Sequence, residues 1–245
     1  MELAPGLHRI GNDIVAAYLV IEPGGITVID AGLPGHWKDL QAELAALGRP
    51  ASDIRAVLLT HGDSDHIGFA ERLRREHGVP VYVHGADSAR ARGLQSTRPS
   101  WGPMRLGPIV KFMAYGIAKG GMRPVHLTEV REFAAGDVLD LPGAPRIFGL
   151  PGHSPGSVAI YVPSVDAVFV GDALTTRHVL TGRSGPQPAP FTDDPPEALA
   201  SLERLRTIGA QWVLPGHGTP WREGVGKAVD AVVRAAHDAA GSPNA

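Results

Sequence analysis

Four short apolar runs end in polar residues of a narrow type, and this recurrence constrains the chain more than anything else in it. Val57-Leu58-Leu59-Thr60 leads into His61-Gly62-Asp63-Ser64-Asp65-His66, and Ile147-Phe148-Gly149-Leu150 into Pro151-Gly152-His153. Val168-Phe169-Val170 leads into Gly171-Asp172, and Trp212-Val213-Leu214 into Pro215-Gly216-His217. Runs this short and this apolar read as buried strands. A buried sheet has one edge where strand ends meet, so groups projected there converge even when far apart in sequence. The glycines beside them let backbones approach closely. The chain has no cysteine, which excludes a disulfide framework, a thiolate nucleophile and Cys-ligated metal. Convergent His and Asp without Cys describe a site for a hard-to-borderline divalent ion: zinc, iron or manganese.

The first cluster is dense enough to judge alone. In an extended stretch His61 and Asp63 point to the same side, whereas Asp65 and His66, at the first turn of a following helix, reach a second point a few ångströms away. With His153, Asp172 and His217 there are seven candidate ligands. That number suits two ions sharing a bridging carboxylate with room left for solvent.

The remaining pattern alternates strands and helices. Strands are expected at Ile14–Ile21, Ile26–Ile29, Ala56–Thr60, Val79–His84, Arg146–Leu150, Ser157–Val162, Ala167–Val170 and Gln211–Leu214. Trp37, Leu40, Leu44 and Leu47 mark a first helix ended by Gly48. Others are expected at Asp65–His77, Glu197–Ile208 and Gly224–Ala239. Residues 86–135 hold several Gly and Pro around the apolar stretch Ile109–Ala118, and read as a helical or loop insertion beside the site within one domain spanning residues 1–245. The class is α/β or layered α+β.

These residues resemble the metallo-β-lactamase superfamily, whose signature is H-x-H-x-D-H after a strand, then a later His, Asp and His at successive strand ends. The matching positions are His61, Asp65, His66, His153, Asp172 and His217, and Asp30-Ala31-Gly32 resembles the family's early D-x-G turn. The resemblance covers about residues 7–221. It implies an α+β fold, a four-layer αββα sandwich, with a dinuclear site at one edge of the packed sheets. It implies a hydrolase in which a metal-activated water attacks an ester, thioester, lactone or related bond, Asp172 bridging the ions and Asp65 orienting the nucleophile. Zinc is the first expectation for the two ions. One position departs: Asp63 stands where the signature has its second His. A carboxylate there makes the site harder and favours iron or manganese. It keeps open an iron-dependent oxidoreductase of the same fold, beside a noncatalytic metal- or ligand-binding relative.

A competing motif is Gly152-His153-Ser154-Pro155-Gly156, which matches the G-x-S-x-G elbow of serine hydrolases. Pro155 argues against it, because the elbow's oxyanion hole needs the N–H of the residue after the nucleophile. Asp30 reads as a group supporting a ligand or its turn. His84 and His178 are candidates for the pocket, and His8, His36, His77, His126 and His237 read as surface or capping residues. With 23 Lys and Arg against 25 Asp and Glu, the net charge of -2 supplies no overall reason to expect nucleic acid or a membrane as partner. No run approaches the roughly 20 apolar residues of a membrane span, and the N-terminus does not read as a secretion signal. The expectation is a cytoplasmic protein acting on a small molecule.

Overall fold

A computed structural model describes residues 1–97 and 101–241 of the chain. The first sheet runs in chain order through β1 (Glu2–Ala4), β2 (Leu7–Gly11), β3 (Ala16–Glu22), β4 (Gly25–Ile29), β5 (Ile54–Leu58), β6 (Val81–His84) and β7 (Arg131–Phe133). Its first four strands pair antiparallel and the rest parallel. The second sheet contains β8 (Arg146–Gly149), β9 (Val158–Val162) and β10 (Ala167–Gly171). After a hairpin of β11 (Thr175–Arg177) and β12 (Ser184–Gln187) it is completed by β13 (Trp212–Pro215), giving the order β13-β10-β9-β8.

The alternation of side chains along each strand builds three cores and so four layers. On β3, Tyr18 and Val20 point between the sheets while Ala17 and Leu19 point outward. On β10, Phe169 points inward to meet Tyr18, with ring centroids 5.3 Å apart, while Val168 and Val170 point outward. Outside the first sheet lie α1 (Trp37–Ala46) and α2 (Ala70–His77), burying Trp37, Leu40 and Leu73 on it. α3 (Ser88–Ala91) and α4 (Leu106–Ala118) occupy the 86–135 segment, of which residues 98–100 lie outside the described residues. α5 (Pro195–Ser201) and α6 (Val225–Gly241) cover the second sheet. The expected αββα sandwich is what the chain forms. Among the described residues no helix is long and apolar enough to cross a membrane.

Several element boundaries differ from expectation. Strands β1 and β2 precede the expected first strand, which begins at Ala16 and not Ile14. The helix expected from Asp65 begins only at Ala70. Its would-be first turn is tied elsewhere: the Ala31 N–H donates to the His66 carbonyl at 2.6 Å, and the Gly68 N–H to the Gly32 carbonyl at 2.7 Å. Those bonds consume the groups a helix would use, leaving Asp65 and His66 in a turn. The helix expected at 197–208 is α5 followed by a 3-10 segment, Leu202–Thr207. α4 starts three residues before Ile109.

Candidate metal centre

All seven candidate ligands lie at one end of the sandwich, in loops past β5, β8, β10 and β13. Three groups, His61–Asp63–His153, Asp65–His66–His217 and His61–His66–Asp172, each bring their ligand atoms within 4.8 Å of one another. Asp172 stands among the imidazoles. Its Oδ1 is 3.5 Å from His66 Nε2, and its Oδ2 is 3.0 Å from His217 Nε2 and 3.8 Å from His153 Nε2.

Each imidazole is held through Nδ1 and presents Nε2 to the centre. His66 Nδ1 bonds Asp30 Oδ2 at 2.9 Å, His61 Nδ1 bonds Thr60 Oγ1 at 3.0 Å, His153 Nδ1 bonds Thr192 Oγ1 at 3.2 Å, and His217 Nδ1 donates to the Ile14 carbonyl. An imidazole anchored in this way has its tautomer and direction set for ligation by the other nitrogen. Asp30 sits at a positive φ of 58° in its Asp-Ala-Gly turn, where it also accepts from the Thr60 N–H at 2.8 Å and the Thr60 hydroxyl at 2.8 Å.

The residues fit a cation. His61 Nε2, His66 Nε2 and Asp172 Oδ1 are buried without a hydrogen-bond partner, a costly state for polar atoms unless an ion or solvent satisfies them. A Cβ on Gly216 would fall 2.4 Å from His66 Cε1 and 2.6 Å from Asp172 Oδ1, filling this cradle. Burial opposes charge on His66 and His217, but Asp30 and Asp172 push His66 up to about 10, and Asp172 pushes His217 up to about 9. Burial likewise opposes the Asp172 carboxylate, which His217 and His66 nevertheless hold well below the usual range.

Asp63, the departure from the signature, faces the cluster: its Oδ2 is 3.3 Å from His153 Nε2 and 3.5 Å from His61 Nε2. Both its oxygens also lie in the fork of Arg90, whose other nitrogen bonds Asp193 at 2.6 Å. Neither Arg90 nor Asp193 is signalled by the sequence pattern. Asp87 lies three residues past the end of β6, so its place at a strand end could have been read from the chain, but its partners could not. It is completely buried and accepts from the Gly62 N–H, the Gly156 N–H and the Ser154 hydroxyl at 2.8, 2.8 and 2.6 Å. The Ser154 hydroxyl is thereby committed to Asp87 and Ser157 in the interior, and among the described residues no imidazole bonds it.

Of the seven candidate ligands, Asp63 and Asp65 open on a cavity of about 660 Å³, lined also by Arg90 and by apolar side chains including Leu33, Phe112 and Phe191. His178 lines a neighbouring cavity of about 590 Å³ that shares Trp101 and Phe191 with the first. Burial, then Arg183, lowers its pKa. His84 packs on Phe133 and caps the turn after β6 through Ala86, and it belongs to none of the three ligand groups. His77, His126 and His237 are exposed. His8 and His36, expected at the surface or as caps, are both buried: His8 bonds Glu43 at 2.7 Å, while His36 acts as a cap, accepting from the Leu33 N–H through Nδ1 and meeting the Tyr115 hydroxyl through Nε2.

Residues 10–217 match the family model described as the metallo-beta-lactamase superfamily. The chain is 27% identical over 231 residues to the probable metallo-hydrolase YflN of Bacillus subtilis, covering 89% of this chain and 86% of that protein. Among solved structures it resembles TTHA1429, a metallo-beta-lactamase family protein of Thermus thermophilus, with a TM-score of 0.70 and 24% identity over 98% of this chain and 81% of that one. It also resembles TTHA1623, solved in a di-iron-bound form, with a TM-score of 0.63 and 30% identity over 92% of this chain and 98% of that one.

Proposed function

Since this chain belongs to the metallo-β-lactamase superfamily and is similar to a probable metallo-hydrolase, we propose that it splits an ester, thioester or lactone with water at a site for two divalent ions. The observation that carries this reading is the set of four imidazoles anchored through Nδ1 with Nε2 turned to one centre, two of those nitrogens and one Asp172 oxygen being unpartnered. His61, Asp63 and His153 would hold one ion, Asp65, His66 and His217 the other, and Asp172 would face both. Such ions lower the pKa of water toward neutrality and polarise a carbonyl.

The chain's own residues supply the rest. Asp65 opens on the cavity beside His217, at 3.4 Å, and its carboxylate lies outside the Arg90 fork. It is the group placed to accept a hydrogen bond from the attacking water and orient it. The water oxygen joins the carbonyl carbon, the bond to the leaving oxygen or sulfur breaks, and the leaving group departs with a proton. The Phe112, Tyr115 and Phe191 wall favours a small molecule with an apolar acyl portion.

Zinc is the first expectation. Iron is the second reading, favoured by the Asp63 carboxylate and by the di-iron-bound form of TTHA1623. Metal analysis of protein purified without added metal, with turnover of an ester, thioester and lactone panel, tests both. Two ions per chain and turnover are expected. Asp172→Ala should lower metal content and reduce turnover about a hundredfold or more. A chain that binds no metal, or an Asp172→Ala variant as active as the parent, overturns the reading, and metal loading without turnover makes the protein a binding module.

A further inference from the structure

The total charge conceals an uneven distribution. Residues 88–128 contain seven of the 23 Lys and Arg and none of the 25 Asp and Glu, so this stretch carries +7 and the rest of the chain -9. Arg90 and Lys119 are paired, with Asp63 and Asp193 and with Asp39. Arg92, Arg105, Lys111 and Arg123 are exposed and have no carboxylate partner among the described residues.

The same stretch exposes apolar side chains in a pattern. On α4, Leu106, Val110, Met113 and Ile117 follow one another by four, three and four residues, so they share one helical face. That face is open to solvent, Leu106 at 81%, Val110 at 57% and Ile117 at 61% exposed. The opposite face holds α4 to the body: the Tyr115 hydroxyl bonds His36 at 2.7 Å, and Phe112 packs against Leu33, Val15 and Ile14. Lys119 pairs with Asp39 at 2.6 Å. The helix is therefore docked with its apolar stripe directed outward. Exposed Met113, Trp101 and Met122 continue the patch to the rim of the metal-site cavity.

We propose that this face docks on an anionic lipid surface with the cavity mouth toward the lipid. An apolar stripe flanked by cations is the chemistry of an interfacial helix. The acidic remainder of the molecule would be repelled by such a surface, which orients the approach. Charge also decides against a second copy as the occupant, because pairing α4 with α4 would oppose Arg105 and Lys111 of one copy to the same cations of the other. The inference is independent of the hydrolase reading, since docking requires no turnover.

Cosedimentation of the purified full chain with vesicles of phosphatidylcholine alone and of phosphatidylcholine mixed with phosphatidylserine tests it. Binding is expected to the mixed vesicles only, weakening as salt is raised. Val110→Asp with Ile117→Asp should weaken it about tenfold or more, and Arg105→Glu with Lys111→Glu about fivefold or more per cation reversed. All four side chains are exposed, so melting curves of both variants should match the parent, and the second variant leaves the apolar stripe intact. No binding to mixed vesicles, equal binding to neutral ones, or binding undiminished in either variant overturns the proposal. So does a dimer in sedimentation velocity that the Val110→Asp, Ile117→Asp variant dissolves, which makes the stripe a contact between copies.

Discussion

Asp87 carries no ligand position of its own, yet its oxygens gather three groups from two loops, the Gly62 N–H on one and the Gly156 N–H and Ser154 hydroxyl on the other. Those loops bear His61 and His153, so one buried carboxylate sets the spacing of two imidazoles. Its neighbours must be small, for a Cβ on Gly156 would meet Asp87 at 2.7 Å. Gly216 meets the stricter demand at the cluster itself, where a Cβ would lie 2.4 Å from His66 and 2.6 Å from Asp172. Gly216→Ala should therefore lower metal content and cost about 1–3 kcal/mol through crowding, measured by metal analysis and urea unfolding. Full metal loading in that variant would show that the cradle is not where the ions bind. The histidines and Asp172 were legible in the sequence because each follows an apolar run. Arg90 was not, because its fork on Asp63 depends on α3 lying over the β5 loop, a contact between segments 27 residues apart.

At the scale of elements, α2 shows how tertiary bonds overrule a helical pattern. The end expected at His77 was legible, and Gly78, at a φ of 68°, closes the helix there. The start was not, because the D-x-G turn takes the backbone of His66 and Gly68. α2 is tied sideways through Glu71, which accepts from Arg74 at 2.9 Å and from the Thr128 hydroxyl at 2.9 Å. The Arg74 hydrogen bonds outweigh burial and hold the Glu71 carboxyl below its ordinary value. A carboxylate with a depressed folded-state pKa contributes stability that is complete above its unfolded value, about 4.3 for Glu, and is lost as pH falls through the folded value. Glu71→Gln should cost about 2 kcal/mol at neutral pH, and the gap in urea midpoint between parent and variant should close on acidification below about pH 4. A pH-independent gap would mean that packing and not charge sets the loss.

At the scale of the whole molecule, the cluster joins the two sheets. His61, Asp63, Asp65 and His66 belong to the first, and His153, Asp172 and His217 to the second. Ions held by both sets would act as cross-links and stabilise the folded state by about 4 kcal/mol at a thousandfold excess over Kd. Chelation should accordingly lower Tm by about 10 °C, followed by calorimetry, and readdition of metal should restore it. An unchanged Tm in metal-depleted protein would mean that the sheets hold the cluster without help. The sequence by itself determined the layered α+β class and the convergence of imidazoles and carboxylates, because strand alternation and strand-end chemistry are local properties that survive any loop path. Only the tertiary structure decided that Asp63 is shared with Arg90, that Asp87 ties the ligand loops, and that α4 turns an apolar, basic face outward. Those outcomes depend on which distant segments pack together, and no spacing along the chain encodes that.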